Sequence, residues 1–170
     1  MNDLIIIGAG PAGLSASIYA SRYGLKHSIV GEVIGGTALE ACDICNFPTE
    51  IKIKGYEISQ KMQNHAEELL GEKIIVDAVF GIKKEKHSFT IQLKSGETLE
   101  TKTILLATGT KRLHLNVPGE KEFLGKGVSY CATCDAMFFR NKTVAVIGGS
   151  DAATTAAITL SQLSKQVYII

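Results

Sequence analysis

Apolar segments and glycine-rich turns alternate at the start of the chain. A strand is predicted over 3–7, because its residues 4–7 form a continuous apolar run, which is typical of a central parallel strand covered on both faces. Small and apolar residues then recur at helical spacing over 11–23, and 27–30 is a second short apolar segment. This order predicts a strand, a helix and a second strand, which together make a βαβ unit.

The middle of the chain changes from loop to helix to several strands. A long loop is predicted over 31–55, and a connection of this length favours a functional role or contact with a ligand. An amphipathic helix is predicted next, with its core positions at Ile58, Met62, Leu69 and Leu70 of the segment 56–70. Strands are predicted over 73–80, 88–93, 98–100 and 103–107, with a hairpin or meander turn at Ser95-Gly96 and a solvated turn over 83–86.

The last third of the chain repeats the order of the first. Strand patterns over 142–147 and 166–170 flank a helical pattern over 151–163, which predicts a second βαβ unit in which the chain stops. Residues 111–119 have the composition of a domain linker. We therefore predict an α/β fold with two Rossmann-like domains, over 1–113 and 114–170.

Composition and charge narrow the class of protein. The chain is 45% hydrophobic and 21% charged, as in soluble globular proteins, and its net charge of +1 favours neither nucleic acid nor a membrane as partner. No apolar run approaches the roughly 20 residues that span a bilayer, and the N-terminus lacks the pattern of a secretory signal. The cysteines form two Cys-x-x-Cys pairs, which favour a reducing compartment, so we expect a cytoplasmic protein.

A glycine-rich turn separates the first strand from the first helix. Gly8 permits a tight turn, Gly10 lets the backbone approach a pyrophosphate, and Gly13 lets helix and strand pack closely. Glu32, just after the second strand, is placed to accept hydrogen bonds from ribose hydroxyls. The turn therefore predicts a dinucleotide site, but its residues do not distinguish FAD from NAD. A second turn begins at Gly148-Gly149, with Ser150 in place of the second glycine of the pattern.

Cys131 and Cys134 lie between the two glycine turns and are followed at once by Asp135. A Cys-x-x-Cys pair serves either redox or metal chemistry. A helix predicted over 132–139 would place Cys134 in its first turn, where the helix dipole favours a thiolate. Asp135 would then be a proton donor or acceptor, or a helix-start carboxylate without a catalytic role.

The motifs of the chain match one family in order. They are Ile7 to Gly13, Gly35-Gly36, Asn46-Phe47-Pro48, Ala107-Thr108-Gly109, Val117 to Glu120, Gly127 to Asp135, and Val146 to Gly149. The chain resembles the low-molecular-weight thioredoxin reductases, a family of flavoprotein disulfide reductases. The resemblance covers essentially the whole chain. It implies an FAD-binding domain with three-layer ββα character, followed by the start of an NAD(P)-binding domain.

The resemblance also implies the cofactor sites. FAD would be bound by Gly8, Ala9, Gly10, Pro11, Ala12, Gly13, Glu32, Gly35, Gly36, Asn46, Val79, Ala107, Thr108 and Gly109. NAD(P)H would be bound by Gly148, Gly149, Ser150 and Asp151. One flavin contact departs from the family, because Thr37 stands where a glutamine is usual.

The implied activity is reduction of a thioredoxin-like protein disulfide. NAD(P)H reduces FAD, and FAD reduces the disulfide between Cys131 and Cys134. Cys134 would face the flavin, Cys131 would attack the partner, and Asp135 would handle protons. The resemblance further implies a homodimer at full length and a hinge near 111–118.

Two departures leave alternatives open. The chain is shorter than the family, so we expect an N-terminal fragment that binds FAD weakly and turns over poorly. Cys42 and Cys45 form a pair that the family lacks, which would be a second redox pair, a metal site, or two thiols without a role. The rival functions are a reductase of another carrier, peroxidase-linked or glutaredoxin-like, and a non-catalytic module in which all four cysteines bind a metal.

Overall fold

The computed structural model describes residues 1–41, 43–111 and 113–170. These residues divide into two compact units, Met1–Thr110 and Lys111–Ile170. The predicted linker, 111–119, falls at the start of the second unit and includes Arg112, which lies outside the described residues. Each unit is considered by itself below.

The described residues of unit 1 form five strands, two α-helices and a short 3-10 helix at Gly36–Glu40. The elements run β1 (Asn2–Ile7), α1 (Pro11–Arg22), β2 (His27–Val30), α2 (Gly55–Leu70), β3 (Val79–Lys84), β4 (Phe89–Leu93) and β5 (Thr98–Leu106). They form one sheet in the order β2-β1-β5-β4-β3. β1 pairs in parallel with β2 and β5, and β4 pairs antiparallel with β3 and β5. The predicted N-terminal βαβ unit is therefore confirmed.

Side chains alternate across β1 and produce two cores. Ile6 packs with Leu14 of α1 and Ala66 of α2, so the helices cover one face of the parallel strands. Ile5 and Ile7 point to the opposite face, because successive side chains of a strand alternate. There they pack in a second cluster, whose other members are Val30, Ile91 and Leu93. Since Ile91 and Leu93 belong to β4, the antiparallel strands cover this second face, as the predicted three-layer ββα arrangement requires.

Two strand predictions in unit 1 were wrong. The strand predicted over 73–80 is a regular strand only from Val79, where β3 begins, and its earlier part has only a bridge between Ile75 and Val30. Because β3 runs through Lys84, Lys83 and Lys84 are not in the turn predicted over 83–86. The strands predicted over 98–100 and 103–107 are a single strand, β5. The buried Thr101 does not interrupt it, because its hydroxyl donates to the carbonyl oxygen of Thr103 at 2.9 Å.

The core face of α2 differs from the prediction at Leu69 and Ala66. Ile58 is buried and Met62 packs against the first cluster, but Leu69 is 40% exposed. Ala66, which is fully buried, lies on the core face of the helix instead. A small side chain at this point lets α2 pack closely against its neighbours.

Unit 2 carries the second βαβ unit. Its elements are α3 (Ala132–Asp135), a 3-10 helix (Ala136–Phe139), β6 (Thr143–Val146), α4 (Asp151–Ser161) and β7 (Gln166–Ile169). β6 and β7 pair in parallel, which confirms the predicted order. The helix predicted over 132–139 is one α-helical turn followed by a 3-10 turn. In the three described ranges, no helix is both long and apolar enough to cross a membrane.

Candidate functional site

Gly8 and Gly13 occupy positions where any side chain would collide with the backbone. Gly8 has φ +112°, and a Cβ atom there would lie 2.1 Å from the carbonyl oxygen of Ala107. A Cβ atom at Gly13 would lie 1.8 Å from the carbonyl oxygen of Gly8. The two glycines therefore let β1, α1 and the end of β5 approach one another within van der Waals distance.

Gly10 is different, because the space beside it is open. Apart from its chain neighbours, the nearest described atom to a Cβ there would be the Cα of Gly36, at 3.9 Å. The N–H of Gly35 donates to the carbonyl oxygen of Ala9 at 2.7 Å, which holds the Gly35-Gly36 pair against the turn. The structure thus brings together the turn, Gly35, Gly36 and Ala107.

The N-terminus of α1 suits an anion. The helix begins with Pro11 at its first position, and its first turn carries no acidic side chain. None of the described side chains caps this end, so backbone N–H groups remain for a ligand. Glu32 is exposed just beyond the carboxyl end of β2. Open space at Gly10, an uncapped helix start and a nearby carboxylate are the features that a dinucleotide requires, so these residues fit such a cofactor.

The other residues predicted for the first site are less constrained. Thr108 and Gly109 are exposed directly after β5, and Gly109 has φ +65°. Asn46 is exposed in the loop before α2. The side chain of Val79 packs against the second core cluster. The cofactor contacts assigned to these four residues stay predictions.

The second glycine turn precedes α4 in unit 2. Gly148 has φ +128°, and its N–H donates to the carbonyl oxygen of Ile170 at 2.8 Å. A Cβ atom at Gly149 would meet none of the described atoms within 4 Å. Ser150 is the N-cap of α4 and Asp151 its first residue. This start therefore carries a carboxylate, whereas the start of α1 does not.

Cys131 and Cys134 form a disulfide in unit 2. Cys131 is the N-cap residue of α3, and its sulfur accepts a hydrogen bond from the backbone N–H of Cys134 at 3.2 Å. Cys134 is exposed and Cys131 is half-buried. A disulfide of this kind, bonded across one helical turn and open to solvent, is accessible to thiol–disulfide exchange.

The two glycine turns and the disulfide are the features of one enzyme family, and comparison with known families agrees. Residues 2–170 match the family model described as pyridine nucleotide-disulphide oxidoreductase. The chain belongs to this family.

Relatives within the family include thioredoxin reductases. The thioredoxin reductase of Helicobacter pylori is 40% identical over 100% of this chain and 55% of its own length. An alkyl hydroperoxide reductase subunit of Staphylococcus aureus is 38% identical over 98% of this chain and 33% of its own length. The crystal structure of thioredoxin reductase from Streptococcus pyogenes matches with a TM-score of 0.86 and 38% identity, over 99% of this chain and 55% of that chain. The chain thus spans about half the length of the thioredoxin reductases that it matches, and about a third of the alkyl hydroperoxide reductase protein.

Ser129 lies at the disulfide, although no sequence pattern assigned it a role. Its hydroxyl is 2.6 Å from Oδ2 of Asp135 and accepts the backbone N–H of Cys131 at 3.0 Å. It therefore joins the predicted acid to the predicted nucleophile. The one sequence signal that could have found it is a hydroxyl residue shortly before the start of a helix.

A second polar cluster lies before the disulfide. The buried carboxylate of Glu120 accepts hydrogen bonds from the Tyr130 hydroxyl and from the backbone N–H groups of Leu115 and Asn116, at 2.9 and 2.6 Å for the two amides. These bonds, led by the one from Tyr130, lower the pKa of Glu120 to about 2. The same bond raises the pKa of Tyr130.

His114 completes this cluster. Its Nδ1 lies 2.7 Å from the Tyr130 hydroxyl oxygen, and the two rings meet edge to face with centroids 5.1 Å apart. Since Tyr130 gives its only hydroxyl hydrogen to Glu120, Nδ1 of His114 is the donor to Tyr130. The cluster connects the segment 114–120 to the residue directly before Cys131.

The described residues give little support to the alternative that the four cysteines bind a metal. Within the described ranges, no group of three or more His, Cys, Asp or Glu side chains is arranged to hold a metal ion. Cys131 and Cys134 are joined to each other, which leaves neither as a thiolate ligand in this state. Cys45 is a reduced, exposed thiol. The predicted pair of Cys45 with Cys42 lies partly outside the described residues, because Cys42 is not among them.

Proposed function

We propose that this protein is a thioredoxin-disulfide reductase, which passes electrons from NAD(P)H through FAD to the Cys131–Cys134 disulfide and on to a thioredoxin-like protein. The observation that carries the proposal is the solvent-accessible disulfide at the start of α3, in a chain of this family. The 40% identity to a thioredoxin reductase of Helicobacter pylori supports the same activity.

Unit 1 is the FAD-binding domain in this proposal, and unit 2 begins the NAD(P)-binding domain. The uncapped start of α1 would hold the pyrophosphate of FAD, and Glu32 would accept hydrogen bonds from its ribose. Gly148 to Asp151 would approach the nicotinamide nucleotide in the corresponding way. When bound, FAD supplies electron transfer between a nicotinamide and a disulfide.

Cys131 is the attacking thiol in this proposal. The N–H of Cys134 donates to its sulfur, and a donated hydrogen bond stabilises negative charge on a sulfur once the disulfide is reduced. Cys134 then resolves the mixed disulfide with the partner. Asp135 exchanges protons with the thiols during these steps.

The surface next to the disulfide suits a protein partner. Met137 and Phe138 lie in the 3-10 helix that follows α3 and are 63% and 74% exposed. Exposed apolar side chains beside a reactive group are typical of protein-recognition surfaces. A thioredoxin-like protein would cover them when its disulfide reaches Cys131. The reducing environment that such a thiol pair needs supports a cytoplasmic location, and we propose a homodimer for the complete enzyme.

A second candidate is a reductase of a peroxidase-linked carrier. The 38% identity to an alkyl hydroperoxide reductase protein of Staphylococcus aureus favours it, because the matched region includes the same disulfide segment. Both candidates share the chemistry from NAD(P)H to the disulfide and differ only in the protein that receives the electrons.

The decisive experiment is an anaerobic titration of the intact protein with NADH and with NADPH, followed by its visible spectrum. Wild type should take up two electrons for the flavin and two for the disulfide. Cys134→Ser should take up only the two of the flavin. Absence of flavin, or equal uptake by both proteins, would overturn the proposal. Comparing kcat/KM for a thioredoxin and for a peroxidase-linked carrier then separates the two candidates.

A further inference from the structure

We propose that Ser129 is a positioning residue for proton transfer in the dithiol exchange, because it holds the Asp135 carboxylate in one place in both of its protonation states. This inference rests on the proposed function. It concerns a residue outside the Cys-x-x-Cys-Asp motif, and it follows from the hydrogen bonds of unit 2.

Three polar groups surround the Ser129 oxygen. Oδ2 of Asp135 lies 2.6 Å away, the backbone nitrogen of Cys131 lies 3.0 Å away, and the carbonyl oxygen of Cys131 lies 3.3 Å away. The carbonyl of Cys131 also accepts the N–H of Asp135 at 3.0 Å. Ser129, Cys131 and Asp135 therefore form one closed set of bonds around the start of α3.

The hydroxyl can be satisfied whether Asp135 is ionised or protonated. A serine hydroxyl donates one hydrogen and accepts two. When Asp135 is ionised, Ser129 donates to its Oδ2, since the shorter and charge-assisted bond is the stronger. When Asp135 is protonated, its O–H donates to Ser129, and the serine hydrogen turns to the carbonyl of Cys131. The Cys131 N–H bond is kept throughout.

This exchange of donor and acceptor matches what the reaction requires. Cys131 gives its proton to Asp135, and its thiolate attacks the partner disulfide, forming a Cys131–partner disulfide. Asp135 returns the proton to the partner thiolate that leaves. Cys134 then loses its proton, which passes to the second partner thiolate, and its sulfur attacks Cys131 and re-forms the Cys131–Cys134 disulfide. The cysteine pair is oxidised by two electrons, and the partner gains two electrons and two protons.

Other titratable groups near this set are few among the described residues. The two cysteines belong to the reaction itself. Helix α4 packs against α3, and its charged side chain is Asp151. Tyr130, next to Ser129 in the chain, leads to Glu120 and His114. The pH dependence of the exchange rate therefore reflects the titration of these groups as well. Comparing variants at each pH isolates the effect of Ser129.

The test uses Ser129→Ala, Ser129→Thr, Asp135→Asn and the double variant Ser129→Ala/Asp135→Asn in the intact protein. Ser161→Ala is the matched control, because Ser161 is exposed and its hydroxyl donates to the carbonyl oxygen of Ile158 in its own helix, 2.8 Å away. Stopped-flow mixing of the reduced protein with oxidised thioredoxin gives the exchange rate across a pH series. Alkylation of the reduced cysteines by iodoacetamide over the same series is a readout that needs no flavin.

Ser129→Ala should lower the exchange rate about tenfold and move the acid limb of the exchange profile to higher pH, since it removes a bond to a charged acceptor. The alkylation profile follows the cysteine thiolates and should not move in this direction. Ser129→Thr should restore the profile, and Ser161→Ala should match wild type. In the Asp135→Asn background, Ser129→Ala should lower the exchange rate little further.

Two results would overturn the inference. One is a pH profile of the exchange rate for Ser129→Ala that equals that of wild type, while the exchange of Asp135→Asn is slow. The other is an equal effect of Ser129→Ala with and without Asp135, which indicates a purely structural role. If wild type itself fails to exchange with thioredoxin, the proposed function fails instead, so the two failures are distinguishable.

Discussion

The carboxylate of Glu120 accepts a hydrogen bond from the Tyr130 hydroxyl, and this bond ties the segment 114–120 to the residue before Cys131. Glu120 is buried, with 7% of its surface exposed, and all its bonding partners donate to it. A buried carboxylate is stable only when it is held in this way. The start of α3 is therefore supported from the chain before it as well as by its own turn.

Stability of unit 2 should fall in acid as Glu120 takes up a proton. Its pKa is about 2 in the folded protein, against an ordinary value of 4.5. A carboxylate with a lowered folded pKa adds stability above its unfolded pKa, and this contribution is lost as the pH falls through the folded pKa. Tyr130→Phe removes the largest cause of the shift. It should lower Tm at neutral pH, and its difference from wild type should shrink between pH 4.5 and about 2.

Thermal unfolding followed by circular dichroism across this pH range measures the effect. Glu120→Gln should give a flatter dependence of Tm on pH, because the group that titrates is gone. A constant Tm difference between wild type and Tyr130→Phe from neutral pH to about pH 2 would show that the bond does not act through the charge of Glu120.

Alanine substitutions at Gly10 and Gly13 should have separate effects, on cofactor binding and on stability respectively. Gly10 has φ −78°, which alanine adopts, and the space beside it is open, so Gly10→Ala should leave Tm of the cofactor-free protein almost unchanged. Its methyl group would nevertheless occupy the approach of the pyrophosphate, so FAD binding should weaken at least tenfold. Gly13→Ala forces a contact of 1.8 Å on a backbone oxygen. It should cost about 3 kcal/mol, the upper end for overpacking.

Thermal unfolding without FAD and fluorescence titration with FAD distinguish the two variants. Gly24→Ala is a control at a glycine where an added Cβ atom, apart from its chain neighbours, would meet none of the described atoms within 4 Å, although its φ of +70° carries a modest strain of its own. Unchanged FAD affinity in Gly10→Ala would mean that the first glycine turn does not approach the cofactor.

Much of the fold could be predicted from the sequence, because β1, α1 and β2 follow simple periods and the glycine turn requires a strand before it and a helix after it. The errors lie where local pattern and burial disagree. The predicted strands 98–100 and 103–107 left Thr101 outside both, but its hydroxyl is satisfied by a backbone carbonyl and β5 continues through it. The start of β3 was misplaced because Ile74 and Ile75 carry a strand-like apolar pattern, yet Ile74 belongs to the core beneath the helices.

The candidate site was predictable only as far as motifs reach. Glycines 8 and 13 have a steric role that the pattern itself expresses. The roles of Ser129, Glu120 and His114 depend on side chains that meet across turns, and no period or spacing announces such contacts. Glu120 and Tyr130 were present in family motifs, but their hydrogen bond appears only in three dimensions.

Cys131 should be the thiol that joins the partner. In Cys134→Ser, the thiolate of Cys131 can form a mixed disulfide that no neighbouring thiol resolves. A covalent complex should therefore accumulate with a thioredoxin that lacks its resolving cysteine and whose attacking cysteine is supplied as a mixed disulfide with a small thiol, because that small thiol leaves when Cys131 attacks. In Cys131→Ser this complex should be largely absent. Non-reducing electrophoresis and mass spectrometry of the joined peptides measure both results. A complex formed equally well through Cys134 would reverse the two roles.

Phe138 should contribute to binding of the partner and not to reduction of the disulfide. Phe138 lies in the 3-10 helix Ala136–Phe139, and its side chain is 74% exposed. Truncating this side chain therefore removes little packing within unit 2. Loss of an aromatic contact at an interface costs about 2 kcal/mol or more, which predicts a KM for thioredoxin raised by at least tenfold with kcat nearly unchanged. Ile158→Ala is the matched control, because Ile158 is also apolar and 64% exposed but lies on α4. Steady-state kinetics with thioredoxin measures binding of the partner. The rate at which the nicotinamide reduces the disulfide measures the earlier step, so the two are separated. If Phe138→Ala and Ile158→Ala raised KM equally, the surface next to the disulfide would have no special part in recognition, and the partner would be bound elsewhere on the enzyme.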